Sequence, residues 1–376
     1  MSAKIELETT GFDVPDSAWL AYPKEYEDYV TDRADGFFAG LMPTAMTLGE
    51  NVVVKGSVSP RLAWGIREYQ ELLQHWWRDK GWFSIVDIDY EDLCEPTAVG
   101  DAVGCTVSGG VDSFYSLWKH RRGNESIPGY EITHGLMING FDFDTDLDNT
   151  GSFRRTAEAF RPVIEGMGAR MLTLRSNIGS FRSNALYHPS RLVTFEAPIT
   201  ACVLTLAGLF AKFYVPGSTS YDPEALQAHG PDPASFPLLS TERIQIIADG
   251  FDADRAEKTA AISQWEDSYS TLRVCWRKVV IDEETGLIRN CCRCEKCVRT
   301  MLALDIVGAL PKYKTFPLPL IRRDVWRLKC DNDASRIFLE DNVNLAKGAG
   351  RSDRVFDLWI AAMFGRLPWK IRRYLK

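Results

Sequence analysis

Two short stretches of this chain carry residue types that do chemistry at spacings that permit it. The first is Ser108-Gly109-Gly110-Val111-Asp112-Ser113. It follows the apolar run Val103-Gly104-Cys105-Thr106-Val107 and opens an amphipathic stretch holding Tyr115, Leu117 and Trp118. Paired glycines let a backbone approach an oxyanion with no Cβ in the way. A helix start adds free N–H groups and a positive dipole end, and Ser108 and Ser113 add hydroxyl donors. Asp112 would repel a phosphate directly, but it suits a Mg²⁺ ion that bridges the two. No Lys-Ser/Thr follows the glycines, so this is not a Walker A loop, and the G-x-G-x-x-G spacing is absent.

The second stretch is Cys291-Cys292-Arg293-Cys294-Glu295-Lys296-Cys297, with Cys275 upstream. Cys275, Cys291, Cys294 and Cys297 can close on one tetrahedral ion, and soft sulfur favours Zn²⁺. Four thiolates leave no open position, so such a site is structural. An iron–sulfur cluster is the alternative occupant, and Cys292 is an alternative ligand to Cys291. Cys94, Cys105, Cys202 and Cys330 stand alone and read as buried packing residues. His75, His120, His134, His188 and His229 form no spaced cluster.

These stretches need elements to hold them. Val103–Val107, His134–Ile138, Ala169–Leu174 and Phe213–Val215 read as short buried strands. Helices are expected from Ser113 to Arg122, Phe153 to Met167 and Phe195 to Phe210. Alternating strands and helices mean βαβ units, a parallel sheet and ligands at the strands' carboxyl ends. Residues 1–100 read as a separate α+β extension: a strand at Val52–Gly56, a helix from Ser59-Pro60 to about Lys80, and a strand at Trp82–Tyr90. Residues 101–274 form the parallel-sheet domain, 275–305 the four-cysteine segment and 306–376 a mostly helical region. The basic stretch Arg366–Lys376 reads as a terminal helix packing on the body with a solvated basic face.

The chain has 376 residues and a net charge of −7, with 45% apolar and 11% aromatic residues. That composition excludes long disorder and argues against a general nucleic-acid coat. No apolar run reaches membrane-spanning length, and Met1–Glu6 lacks an apolar signal core. A reducing cytoplasm is therefore expected, with the nine cysteines as thiols or metal ligands.

Ser-Gly-Gly-x-Asp-Ser after a strand resembles the PP-loop of the N-type ATP pyrophosphatases, which share an adenine-nucleotide alpha-hydrolase-like fold. The resemblance implies cleavage of ATP between the α- and β-phosphates, adenylation of a substrate oxygen, and displacement of AMP by a nucleophile. With the downstream cysteines and Arg299, the chain looks most like 7-cyano-7-deazaguanine synthases. These adenylate a carboxylate, form an amide with ammonia and dehydrate it to a nitrile. Matching covers about Ala102 to Leu304. What it implies for this chain is as follows. Ser108, Gly109, Gly110, Val111, Asp112 and Ser113 cradle the phosphates. The backbone of Leu136, Met137 and Ile138 reads adenine, and Gly217 and Ser218 lie beside the ribose or substrate. Arg243, in a segment similar to one leading into a Lys-headed helix, neutralises departing pyrophosphate. Cys275, Cys291, Cys294 and Cys297 hold structural zinc.

Four places depart from the family: Arg243 stands where it has Lys, Arg273-Val274-Cys275 replaces its aromatic-Ser-Cys, Asn139-Gly140-Phe141-Asp142-Phe143-Asp144 replaces its Asp-Tyr-Gly-Gln string, and Pro216–Asp222 differs too. The implied partners are a small carboxylate, with ammonia or an amine, and a protein partner or second copy through the N-terminal extension. Arg154 and Arg155 read as solvated helix residues. Other readings are a tRNA-modifying sulfurtransferase and a non-catalytic, nucleotide-gated binding protein.

Overall fold

A computed structural model of the chain describes residues 1–8, 14–141, 150–183, 194–222, 232–275, 277, 279–282, 284–330 and 332–365. His188, His229, Asp142, Phe143, Asp144 and the basic stretch 366–376 lie outside the described residues. In chain order the strands are β1 (Ser2–Lys4), β2 (Ser17–Ala21), β3 (Val52–Val58), β4 (Ile88–Leu93), β5 (Ala102–Thr106), β6 (His134–Asn139), β7 (Arg170–Ser176), β8 (Phe210–Pro216), β9 (Gln245–Asp249), β10 (Val280–Ile281) and β11 (Ile288–Arg289). The helices are α1 (Asp35–Leu48), α2 (Pro60–Trp76), α3 (Val111–Lys119), α4 (Thr150–Gly166), α5 (Ile178–Ser183), α6 (Glu196–Leu204), α7 (Arg255–Ile262), α8 (Glu295–Ile306), α9 (Arg322–Trp326), α10 (Asp333–Gly348) and α11 (Ser352–Gly365).

The central sheet runs β1-β2-β7-β6-β5-β8-β9. Strands β7, β6, β5, β8 and β9 are mutually parallel. β2 lies antiparallel on β7, and β1 antiparallel on β2. The chain is thus a mixed α/β protein with a mostly parallel central sheet. From β5 it winds outward through β6 to β7, then crosses back to β8 and β9. The order reverses beside β5, and such a switch point opens a crevice at the strands' carboxyl ends.

Strand side chains alternate between two cores. Leu136, Ile138, Phe213 and Val215 face α1, α2 and α6. Met137 and Tyr214 face α3, α4 and the cysteine segment. Helix α8 serves two layers, with Cys297, Met301 and Leu304 in the second core and Val298, Leu302 and Ile306 against α9, α10 and α11. Among the described residues no helix is long and apolar enough to cross a membrane.

Four expectations need correction. Residues 1–100 do not pack as a separate body: β1 and β2 extend the central sheet, and α1 and α2 share the first core with it. The strand expected at Trp82–Tyr90 begins only at Ile88. Before it, the Gln70 amide takes both backbone groups of Val86, its Oε1 accepting from the N–H at 2.9 Å and its Nε2 donating to the carbonyl at 3.3 Å. The helix expected to reach Phe210 stops at Leu204, where the Thr205 hydroxyl bonds back to the Ala201 and Cys202 carbonyls. Finally, Gln245–Asp249 is a strand rather than the lead into a helix.

Candidate functional site

The glycine loop leaves the carboxyl end of β5, at the reversal point. Gly109 has φ +74°, and a Cβ there would lie 2.1 Å from the Phe160 ring, so glycine is required for both conformation and space. Gly110, extended, caps α3. The Ser108 hydroxyl accepts from the Gly110 N–H at 3.3 Å. Ser113 is buried, accepting from the Ser108 N–H and donating to the Thr106 carbonyl at 2.9 Å. Its hydroxyl braces the loop from within. Behind the loop, Asp249 at the end of β9 anchors α3 by accepting from Ser116, Lys119 and His120. Burial works against that carboxylate, but these donors, His120 foremost, hold its pKa well below the usual range.

Cations converge on Asp112. Arg255 Nη2 stands 3.1 Å from Asp112 Oδ2, whereas Asp112 Oδ1 is buried without a hydrogen-bond partner among the described residues. Helix α7, which carries Arg255, starts with a capping box between Asp254 and Glu257. One turn on, fully buried Lys258 donates to the Gly217 carbonyl at 2.8 Å and the Thr219 carbonyl at 3.2 Å. Burial lowers its pKa, and the nearby Asp112 charge opposes that. Arg299 on α8 is 7% exposed, and its Nε has no hydrogen-bond partner among the described residues. Its guanidinium carbon lies 3.9 Å from the Phe338 ring centroid, with Arg255 over the same ring at 5.4 Å. Burial, then the neighbouring Arg255 charge, pulls the Arg299 pKa down to about 9. Helix α10 therefore closes one side of the cluster, leaving a crevice of only about 10 Å³ lined by Arg255, Thr259, Arg299, Thr300, Phe338 and Asn342.

Asp341 faces the same cluster. Its burial and the charge of Asp254 raise its pKa to about 7, against the pull of Arg299 and Lys258. Between roughly pH 4 and 7 the folded state holds a proton that the unfolded chain has released, so wild-type stability falls as pH rises through that window. Asp341→Asn is expected to be more stable than wild type at pH 8 by up to about 4 kcal/mol, roughly three pKa units, with the gap closing near pH 4. Urea melts across this range check it; a pH-independent gap would contradict the assignment.

The four predicted cysteines meet. The sulfurs of Cys275, Cys291, Cys294 and Cys297 all lie within 4.8 Å of one another. The Sγ–Sγ distances are 3.8 Å for Cys291–Cys297, 3.9 Å for Cys294–Cys275 and 3.3 Å for Cys294–Cys297. A tetrahedral ion with metal–sulfur bonds of about 2.3 Å sets its ligands about 3.8 Å apart, so the set could hold a metal such as zinc. The bond with Cys294, then burial and repulsion from the other sulfurs, push the Cys297 thiol pKa upward. A cation would relieve that repulsion. The Cys294 N–H donates to Cys291 Sγ at 3.2 Å, and Cys294 caps α8. Cys292, the alternative ligand, has φ +57° and donates to the Asn290 carbonyl. Of the isolated cysteines, Cys105 and Cys202 are buried as expected, but Cys330 and Cys94 are only partly so. Cys94 accepts from Arg33 and donates to Asp92.

A single segment joins the two sites. The Arg273 N–H donates to the Gly109 carbonyl at 2.8 Å, two residues before Cys275. The Asn290 Oδ1 accepts from the N–H groups of Val274 and Cys275 at 2.9 and 3.1 Å. Gly217, at the end of β8, sits beside the loop through Lys258, and a Cβ there would strike the Phe251 ring at 2.2 Å. Leu136 is bonded into the sheet, its carbonyl accepting from Val107. Arg154 and Arg155 are exposed on α4, as expected.

The structure does not bring Arg243 to this site. It precedes β9, at the amino end of the sheet, and its Nε donates to the Pro96 carbonyl at 3.0 Å. A five-residue strand, roughly 16 Å, separates it from the carboxyl ends. The cations at the loop are Arg255, Lys258 and Arg299 instead. Asp254 and Glu257, at capping-box spacing, were the sequence signal for the helix that delivers the first two. No protein-family model, no curated protein and no solved structure matches this chain.

Proposed function

We propose that this chain is an ATP-dependent adenylating enzyme of the N-type ATP pyrophosphatase kind, acting on a small carboxylate or amide. The observation that carries the reading is the glycine loop at the carboxyl end of β5, ringed by Asp112, Arg255, Lys258 and Arg299. The loop's free N–H groups and the α3 dipole suit the β- and γ-phosphates. Mg²⁺, with Asp112 as its holder, would supply charge neutralisation. Arg299 and Arg255, desolvated and with spare donors, are placed to stabilise charge on departing pyrophosphate. A substrate oxygen attacks the α-phosphorus and pyrophosphate leaves. Ammonia or an amine then attacks the activated carbon and AMP leaves, giving an amide, or a nitrile after a second activation, as in 7-cyano-7-deazaguanine synthases. The cysteine set serves as a structural zinc site.

The test is pyrophosphate release from ATP and Mg²⁺ across a panel of acids including 7-carboxy-7-deazaguanine. Acid-dependent pyrophosphate and AMP are expected, falling about 10³-fold in Asp112→Ala. Formation of ADP and phosphate would refute the reading.

A further inference from the structure

Helix α11 turns an apolar stripe away from the protein. Phe356, Trp359 and Met363 are 53, 57 and 52% exposed, and Phe364 is 40% exposed. With Ile360 they stand at i, i+3, i+4, i+7 and i+8, the spacing that gathers side chains on one face of a helix. The Phe356 and Trp359 rings stack on that face, with centroids 6.1 Å apart. The opposite face explains why the stripe points outward. Leu358 and Ala361 are fully buried in the core shared with α8, α9 and α10. Asp357, also fully buried, accepts from Arg322 Nε at 2.9 Å, Trp326 Nε1 at 2.8 Å and Arg354 Nη1 at 3.0 Å. Rotating the stripe inward would break that buried charge network, which is costly.

Cations flank the stripe. Helix α9 packs beside α11, and Arg323, Arg327 and Lys329 are exposed on it and just after it, with no ion pair among the described residues. Leu318 and Ile321, leading into α9, are exposed as well. The nearby carboxylates are already matched: Asp324 by Arg293, Asp353 by Arg351 and Arg354, and Asp357 by Arg322. The sequence beyond α11 adds Arg366, Lys370, Arg372, Arg373 and Lys376, with no Asp or Glu from 366 to 376, in a chain of net charge −7. Positive charge is therefore gathered at the one helix that shows an apolar face to solvent.

That combination separates the partners such a face could take. A nucleic acid would use the cations, but it stacks on rings and has no use for Met363, Leu318 or Ile321. A second copy across a two-fold axis would set the same cations against one another. An anionic bilayer uses both parts: aromatic and aliphatic side chains enter the headgroup boundary by about 5–10 Å, and Lys and Arg meet the lipid charges. We propose that α11 and α9 form a docking face for an anionic lipid surface, which the protein binds from one side with no spanning helix. The inference goes beyond the nucleotide reading and does not depend on it.

Co-sedimentation of the full chain with vesicles tests it, using phosphatidylcholine alone and phosphatidylcholine mixed with phosphatidylserine. Wild type should bind the mixed vesicles, bind phosphatidylcholine at least about tenfold more weakly, and lose most of its binding at high salt. Trp359→Ser combined with Met363→Ser should weaken binding more than about tenfold, because two large apolar side chains lose their burial in lipid. Arg323→Gln combined with Arg327→Gln should weaken it about 20-fold, near fivefold per cation. All four residues lie at the surface, so both double variants should melt as wild type does. Trp64→Ser removes a similarly exposed tryptophan on α2 and should leave vesicle binding unchanged. Failure to bind either vesicle would overturn the proposal, as would equal binding to both or unchanged binding in both double variants. So would binding of a tRNA mixture in place of vesicles, lost with the two arginines but not with Trp359 and Met363. A dimer that binds no vesicles, and that the serine pair makes monomeric, would give the stripe to a second copy instead.

Discussion

Cys294→Ser is expected to release the metal and melt the segment around it, taking nucleotide binding with it. Structural zinc sites in small domains contribute apparent binding energies of about 10–16 kcal/mol, which become folding energy. Regular structure here is sparse: β10 and β11 are two residues each, and beside the Asn290 bonds and buried Ile288 the cysteine cluster is what ties the segment together. The effect should reach the glycine loop, because Arg273 holds Gly109 from a position two residues before Cys275. Arg299, two residues after Cys297, depends on the same helix register. Elemental analysis should find about one metal per chain in wild type and in Cys292→Ser, and almost none in Cys294→Ser. Thermal melts should show a loss of ten degrees or more in the latter, and chelation of wild type should reproduce both losses. A metal-free wild type whose melting ignores Cys294→Ser would end the structural-metal reading.

Lys258→Met carries the second large effect. Pyrophosphate release should drop about 10²- to 10³-fold, the range seen when one preorganised charge or donor is removed from a desolvated site. The lysine is buried beside Asp112 and straps Gly217 and Thr219 at the end of β8. Methionine keeps the stem's volume, so circular dichroism should stay near wild type. Arg243→Met should leave turnover within about twofold, since that residue serves the Pro96 carbonyl at the other end of the sheet. The opposite pattern, Arg243 sensitive and Lys258 silent, would move the chemistry away from the glycine loop.

What could be read from the sequence were features set by local chemistry. The glycine loop was legible because a strand, two glycines and a helix start are contiguous. The cysteines were legible because thiol density has few other uses. The four strands from β5 to β8 were found as short apolar runs, with ends up to three residues off. Features decided by distant partners were not legible. Gln70 diverts Val86 from strand pairing, and Thr205 ends α6 through its own side chain. β9 was missed because Gln245–Asp249 is short and its edge position shows only in three dimensions. With β9 misread, the cation role fell to Arg243 instead of Arg255 and Lys258, whose approach to Asp112 depends on how α7 packs on α3.

The way the first twenty residues join the central sheet bears on how this protein can be handled. β2 occupies the open side of β7 along Leu20–Ala21, and the Ser176 hydroxyl donates to the Trp19 carbonyl. On the face above, α1 covers α6, where a Cβ on Gly40 would sit 2.7 Å from that of Ala201. A chain begun at residue 101 would keep the whole glycine loop and all four clustered cysteines. It would also bare a sheet edge and a largely apolar helix face, two surfaces from which proteins aggregate. The smallest soluble unit is thus larger than the smallest chemical one.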